Sequence, residues 1–396
     1  MATVDYQRPT FQISDLLTDQ RSRGVVIQVI SLSLIFLFIA YIVNNTINNL
    51  ELLGIETGYD FLADPSNYDI NQTLVEYDSR SSHATALLVG VLNTALVAVA
   101  GIFFATLLGV AAGVLRLSGN WLISRLVYVY VEFTRNVPVL LQILLWHGII
   151  VHTLPRPKSA LEPIDGFFLS NRGFAIPKPD FEPAFTAVVI AFIVAIVAAV
   201  FFSRYAAKVQ AETGKHYPVA TIVIGMIVGL PLIVFLITGA PVTFTWPELK
   251  GFNFKGGMTI RPEFVALWFA LSVYTAAFIS ENVRAGIEAV SHGQTEAAYA
   301  LGVKPSWTMR LIILPQALRV IIPPLISQYL NLTKNSSLAI AIGYMDIVAT
   351  IGGISLNQTG RALECMSIVL LLYLSFSLFI SMVMNWYNKR VALVER

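Results

Sequence analysis

Long apolar runs alternate with short polar segments along nearly the whole chain, and their length is the first thing they establish. A helix needs about 20 apolar residues to cross about 30 Å of hydrocarbon. Eight stretches qualify, near 24–43, 84–115, 124–151, 184–203, 218–239, 262–285, 321–343 and 366–387. Within hydrocarbon every backbone N–H and C=O must be paired inside the protein, which leaves helices and closed barrels. Barrel strands alternate over about ten residues, so the runs predict an all-α integral membrane protein with about eight transmembrane helices. The first run exceeds a signal-peptide core and has no small-x-small cleavage pattern behind it, so it reads as a true span.

Charge gives this array an orientation. With 396 residues, 56% hydrophobic and only 13% charged, and a mean hydropathy of +0.69, the chain is too apolar for a soluble domain. Lysine and arginine concentrate on the cytoplasmic side of membrane proteins. The N-terminal segment carries Arg8, Arg21 and Arg23, whereas 44–83 carries seven acidic residues and only Arg80, so that loop is expected outside. Counting eight crossings then puts Arg116 and Arg125, Arg204, Lys208 and Lys215, the 286–320 loop and the Lys389–Arg390 tail in the cytoplasm, along with both termini. The loop 151–183 balances Arg156, Lys158, Arg172 and Lys178 against Glu162, Asp165, Asp180 and Glu182, and does not bear on the choice. The net charge of +2 sits at basic margins that suit anionic lipid. No basic stripe interleaves with aromatics, so there is no case for nucleic acid. A single cysteine, Cys365, excludes an intrachain disulfide and any CxxC motif. His147 and His152 have no third ligand beside them, so no metal site is expected.

One polar phrase stands out among the apolar runs. Residues 296–315 read Glu-Ala-Ala-Tyr-Ala-Leu-Gly-Val-Lys-Pro-Ser-Trp-Thr-Met-Arg-Leu-Ile-Ile-Leu-Pro. Ala297, Ala298 and Ala300 let another surface approach a helix closely, Gly302 suits the positive φ of a helix C-cap, and Pro305 can open the next helix. The spacing Glu296-Ala297-Ala298, three residues, Gly302, nine residues, Ile312, one residue, Leu314-Pro315 resembles the EAA loop of ABC importer permeases. Arg135-Asn136-Val137-Pro138-Val139-Leu140-Leu141-Gln142 resembles the Arg-Gly-Thr-Pro-x-x-x-Gln stretch of polar amino acid permeases, departing at Asn136 and Val137 as the broad-specificity L-amino acid members do. Lys334-Asn335-Ser336-Ser337-Leu338 is similar to their Lys-x-Thr-Ser-Leu. Leu92-Asn93-Thr94 and Glu281-Asn282-Val283-Arg284-Ala285-Gly286 extend the likeness.

The resemblance implies a type I ABC importer permease core at about 84–150 and 262–387, interrupted by a two-helix insertion at about 151–260 with two Pro-rich outward segments. Residues 1–83 add a cytoplasmic N-terminus, a first span and an acidic periplasmic loop, and 388–396 form a cytoplasmic tail. It also implies the partners: a dimer of separate ABC ATPases docked on the Glu296 loop, a second homologous permease forming a heterodimer, and a periplasmic amino-acid-binding protein, all at the bacterial inner membrane. The chain has no engine of its own. Its only Gly-Lys pair, Gly214-Lys215, is followed by His216 rather than Ser or Thr, so no phosphate-binding loop exists. No catalytic residue and no cofactor are expected in this chain, with ATP and Mg held by the partner ATPase.

Polar groups inside the spans are the candidates for substrate handling, because an ionisable group in hydrocarbon is costly unless it faces a cavity or a partner. At 100° per residue, Ser327, Gln328, Asn331, Lys334 and Asn335 share a sector of about 120° on an otherwise aliphatic helix. The stripe reads either as the lining of a passage or as interhelical hydrogen bonding, and Lys334 offers a counter-charge to a carboxylate. Asn93 and Thr94 read either as path residues or as bridges between helices. Glu281 reads as a gate, or as a partner for Arg284 across a permease dimer. Gly109 and Gly113 form a small-xxx-small pair suited to close helix packing. The expected function is an ATP-driven importer of L-amino acids. An ion-coupled secondary transporter and a non-transporting structural subunit stand as alternatives, although no inverted pair of broken helices points to the former.

Overall fold

A computed structural model describes residues 20–391 except 53, 55 and 56, so Arg8 and the last five residues of the tail lie outside the described residues. The helices are α1 (Gln20–Leu52), α2 (His83–Arg116), α3 (Trp121–Asn136), α4 (Val139–Thr153), α5 (Phe185–Thr213), α6 (Val219–Ile237), α7 (Pro262–Glu288), α8 (His292–Ala300), α9 (Pro305–Thr308), α10 (Leu314–Asn335), α11 (Leu356–Thr359) and α12 (Ala362–Val391). Among the described residues, seven helical segments are long and apolar enough to cross a membrane, and the pair α3–α4 makes an eighth candidate.

In the span expected at 124–151, Pro138 predicts a kink, and the structure breaks the helix there into this pair. The pair is bent by 107° at the break, because Val137 is extended and Pro138 has no N–H to continue the ladder. The expected span at 321–343 is likewise not one α-helix. Its limb runs through α9, a π turn (Met309–Ile313), α10 and a seven-residue 3₁₀ segment (Ser336–Ile342) that ends at Gly343 with φ 78°. Runs of 3₁₀ beyond three or four residues are uncommon and mark hinges or strain. A second π segment, Val348–Ser355, leads into α11.

Packing centres on α2 and α7, whose contact depends on glycine. A methyl group at Gly109 would lie 2.6 Å from Ile279 Cβ, and one at Gly113 would lie 2.7 Å from Val283 Cβ. The small-xxx-small pair therefore seats α7 directly against the α2 backbone. Leu267, Leu271, Ile279, Ile321 and Leu332 join this core from α7 and α10. By contrast α1 buries none of its membrane-length apolar window. Helix α5 presents buried Ala191, Ala195, Ala199 and Ala206 along one edge, while α6 buries nothing, so most of this hairpin is an aliphatic surface for lipid.

The two segments flanking the α5–α6 hairpin are not the loops expected from their prolines. They pair with each other. Strands β1 (Leu161–Ile164), β2 (Phe167–Ser170), β3 (Gly173–Ile176) and β8 (Met258–Ile260) form one antiparallel sheet, β4 (Lys178–Phe181) pairs with β5 (Val242–Thr245), and β6 (Glu248–Lys250) pairs with β7 (Asn253–Lys255). Asp165-Gly166 closes the β1–β2 hairpin between the paired Ile164 and Phe167, with Gly166 at φ 76°. Asp-Gly is a strong two-residue hairpin signal. Strand β8 runs straight into α7, opened by Pro262 in its first turn, so this small β cap is joined without a linker to the central helix.

The segment 57–82 packs over the same end of the bundle. His83 Nδ1 lies 2.8 Å from Ser355 Oγ and the Tyr68 hydroxyl 3.2 Å from it. Burial pushes the Tyr68 phenol up to about 12. Arg361 donates to Gly58 O at 2.7 Å, and Gly58 N donates to Glu364 Oε1 at 2.7 Å, tying the loop to the start of α12.

Candidate coupling loop and substrate path

The loop around Glu296 has the geometry of a projecting knuckle. Helix α8 ends at Ala300, with Leu301 as its C-cap. Gly302 follows at φ 73°, its N–H donating to Tyr299 O at 2.9 Å while Val303 N donates to Ala298 O at 3.0 Å. These two bonds are a Schellman cap, which needs a left-handed residue at the glycine position. A side chain there has open space around it but an unfavourable backbone. Pro305 then opens α9 in its first turn. Ala298 is buried, whereas Glu296 and Ala297 are exposed. Around them Tyr299, Leu301, Trp307 and Leu311 are also exposed, Leu301 at 82%. These side chains leave an apolar surface on a polar loop that none of the described residues covers. Pro315, half-buried, sits two residues beyond the π turn. Its ring would press on the carbonyl four residues back in a regular α-helix, and that carbonyl, of Leu311, belongs to the π turn.

The bend between α3 and α4 is mended by one side chain. Thr134 O would normally accept from the N–H four residues on, which Pro138 lacks. Gln142 Nε2 takes that place, donating to Thr134 O at 2.9 Å and to Val137 O at 3.0 Å. The Arg-Asn-Val-Pro-x-x-x-Gln phrase is therefore a built elbow. Its role was invisible at the level of spacing.

Helix α10 separates its two faces cleanly. Leu325, Tyr329, Leu332 and Thr333 are buried, while Ser327, Asn331 and Lys334 are exposed and Gln328 and Asn335 are half-exposed. All five stripe residues thus share the face turned away from the chain's own core. Lys334 makes no ion pair with any described residue. Leu332 packs on Gly101, midway along α2, so the α10 backbone at Lys334, two residues further on, lies between the ends of the bundle.

The other named residues do different work. Asn93, fully buried, donates through Nδ2 to Gln72 O and Met345 O, both at 2.9 Å. Thr94 Oγ1 donates to Gly90 O at 2.9 Å and accepts from Ile347 N at 3.2 Å. Both bridge α2 to the 343–347 segment, and both are fully buried. Glu281 pairs with Arg116 and with Arg284 of its own chain, and Arg284 reaches Glu288 as well. The reading of spacing missed Asp346. It is fully buried; Oδ1 accepts from Ala349 N at 2.8 Å, and Oδ2 accepts from the Tyr373 hydroxyl at 3.0 Å. Asp346 thereby caps the second π segment. A carboxylate three residues after Gly343, ahead of an apolar run, was the available signal.

The model of the family described as "Binding-protein-dependent transport system inner membrane component" matches residues 212–393. The general L-amino acid transport system permease protein AapQ of Rhizobium johnstonii is 48% identical over 96% of this chain and 94% of its own length. The glutamate/glutamine/aspartate/asparagine transport system permease protein BztB of Rhodobacter capsulatus is 44% identical over 99% of both. The chain belongs to the amino-acid ABC transporter permease family. Of solved structures, a crystal structure of an amino acid ABC transporter with histidines is similar at 18% identity and a TM-score of 0.46, over 78% of the permease and 95% of that chain. The permease is a multi-pass inner-membrane protein, and the transport class expected from its loop and elbow phrases holds. Those phrases lie on the two features just described, the Gly302 knuckle and the Gln142 elbow.

Proposed function

We propose that this permease subunit translocates L-amino acids across the bacterial inner membrane, driven by ATP hydrolysed in separate subunits. The observation that carries the reading is Lys334, which makes no ion pair among the described residues and belongs to a polar stripe that the chain's own core leaves uncovered. A lysine facing lipid at that depth is too costly to keep, so the stripe faces a second permease across a hydrated path. Its cation answers a substrate carboxylate, and the amide-rich surroundings suit a zwitterion. The names of AapQ and BztB support amino acids as the cargo. Ser327, Gln328, Asn331 and Asn335 line the path in this account, with Asn93, Thr94 and Glu281 holding the helices that shape it.

The knuckle around Glu296, Ala297, Ala298 and Gly302 is the coupling element. Its exposed Tyr299, Leu301 and Trp307 fit a cleft on an ABC ATPase, and α8 follows directly on α7, so a shift of the knuckle moves the central helix as a lever. ATP and Mg belong to that ATPase, and this chain itself catalyses nothing. A periplasmic amino-acid-binding protein delivers substrate to the end that carries the 57–82 segment, with both termini and the knuckle in the cytoplasm. The partner permease is a homologue of this chain rather than a copy.

The test is co-purification. Gly302→Val forces a β-branched residue into a left-handed backbone at a cost of about 1 kcal/mol or more, and Glu296→Lys reverses a contact charge. Both variants are expected to reach the membrane yet lose the ATPase on purification. Wild-type recovery of the ATPase with both variants would remove the knuckle from the coupling role.

A further inference from the structure

We propose a second binding site, for the phosphate group of an anionic phospholipid, at the α3 end of the bundle. A cavity of about 290 Å³ is lined by Arg116, Trp121, Ser124, Arg125, Tyr128 and Arg284. Three guanidinium groups thus converge on one small space. Arg116 and Arg125 flank the ring of Tyr128, with their Cζ atoms 5.2 and 4.9 Å from its centroid. Arg116 and Arg284 are partly answered by Glu281 and Glu288, but Arg125 forms no ion pair among the described residues. Arg284 adds a buried Nε–H with no acceptor among them. Ser124 is already spent on Arg116 O at 2.8 Å. The site therefore holds excess positive charge and an unanswered donor, which is the chemistry of a phosphate receptor.

The surroundings select a lipid as the source of that phosphate. Trp121 is 76% exposed, Leu122 56% and Leu126 63%, all on the first turns of α3 beside the cavity. An indole and leucines at the rim of a cationic pocket match the boundary between headgroups and acyl chains, and basic pockets between helices on the cytoplasmic side take anionic headgroups. The α3–α4 pair is bent by 107°, so an occupant here bears on one arm of the elbow and, through Arg284, on the helix that leads into the coupling knuckle. The placement at the inner leaflet rests on the orientation proposed above. Headgroup binding itself does not, so the experiment below reads binding, and accessibility labelling reads orientation separately.

The assembled importer, delipidated in detergent, is titrated with phosphatidylglycerol or phosphatidylcholine, and bound lipids are counted by native mass spectrometry. Wild type is expected to retain one more phosphatidylglycerol than Arg125→Gln does, with affinity at that site falling about fivefold on loss of one arginine contact. Trp121→Ala should weaken the same phosphatidylglycerol while leaving the charge cluster whole. That variant and the comparison of the two lipids on wild type decide the matter if Arg125→Gln fails to assemble. Equal retention of phosphatidylcholine, or an unchanged lipid count in both variants, would overturn the proposal. Displacement of the lipid by excess inorganic phosphate alone would overturn its lipid source.

Discussion

Replacing Gln142 with methionine isolates the elbow. The side chain keeps its length and aliphatic bulk but loses the amide N–H groups that satisfy Thr134 O and Val137 O. Gln142 is only 5% exposed, so little water can substitute. Each lost bond costs about 0.6 kcal/mol by the average measured between membrane helices and up to about 1.7 at the high end; a buried carbonyl left unpaired costs about 1–3 kcal/mol in soluble proteins. For two carbonyls the loss is about 2 kcal/mol, which raises the population of the locally opened elbow about thirtyfold. Hydrogen exchange by mass spectrometry on the assembled complex in lipid nanodiscs reads this directly. Amides around the junction of α3 and α4 should exchange about thirtyfold faster in Gln142→Met, while those of α7 and α2 should not change. Exchange at the junction within twofold of wild type would refute the claim that this amide replaces the N–H Pro138 lacks.

Two further outcomes follow from the same geometry. Lys334→Met keeps the bulk of the side chain on the open face of α10 and removes its charge; assembly and basal ATPase activity should survive while uptake falls at least about tenfold, the value of one charge-assisted contact, and wild-type uptake would contradict the path assignment. Thr73→Cys places a thiol on the exposed part of the 57–82 segment, and the only native cysteine, Cys365, is buried, so an impermeant maleimide should label the variant in cells with a permeabilised outer membrane; protection there would invert the proposed orientation.

The sequence made the membrane spans legible because hydrocarbon enforces long apolar runs, and it made the knuckle legible because Gly302 and Pro305 each fit one backbone role. At the elbow Pro138 announces a kink, but the sequence did not show how far the chain turns or which bonds hold the turn. A run from 124 to 151 stays apolar whether or not the helix is continuous, and the decisive bonds from Gln142 reach back to carbonyls five and eight residues away. The β cap was hidden for another reason. Its strands are three or four residues long, and the two segments are joined across the intervening α5–α6 hairpin, as in Phe174↔Ile260 and Lys178↔Thr245, so no local window contains those pairings; only hairpins within one segment, such as β1–β2 at Asp165-Gly166, could show locally. For the site, periodicity correctly gathered Ser327, Gln328, Asn331, Lys334 and Asn335 on one face, and only the packed structure could say that this face is the uncovered one. It also separated Asn93 and Thr94, which composition groups with path residues, because both are fully buried and tie α2 to the 343–347 segment. Asp346 escaped notice because a capping role depends on a π segment that spacing does not announce.

The most direct test of the account is amino-acid uptake into proteoliposomes holding this permease with its homologous partner, the ATPase and the binding protein. Uptake should require ATP on the ATPase side, persist when ionophores collapse every ion gradient, and disappear with Gly302→Val in this chain. Uptake that proceeds without ATP and stops with the ionophore would contradict the account and make the protein an ion-coupled carrier.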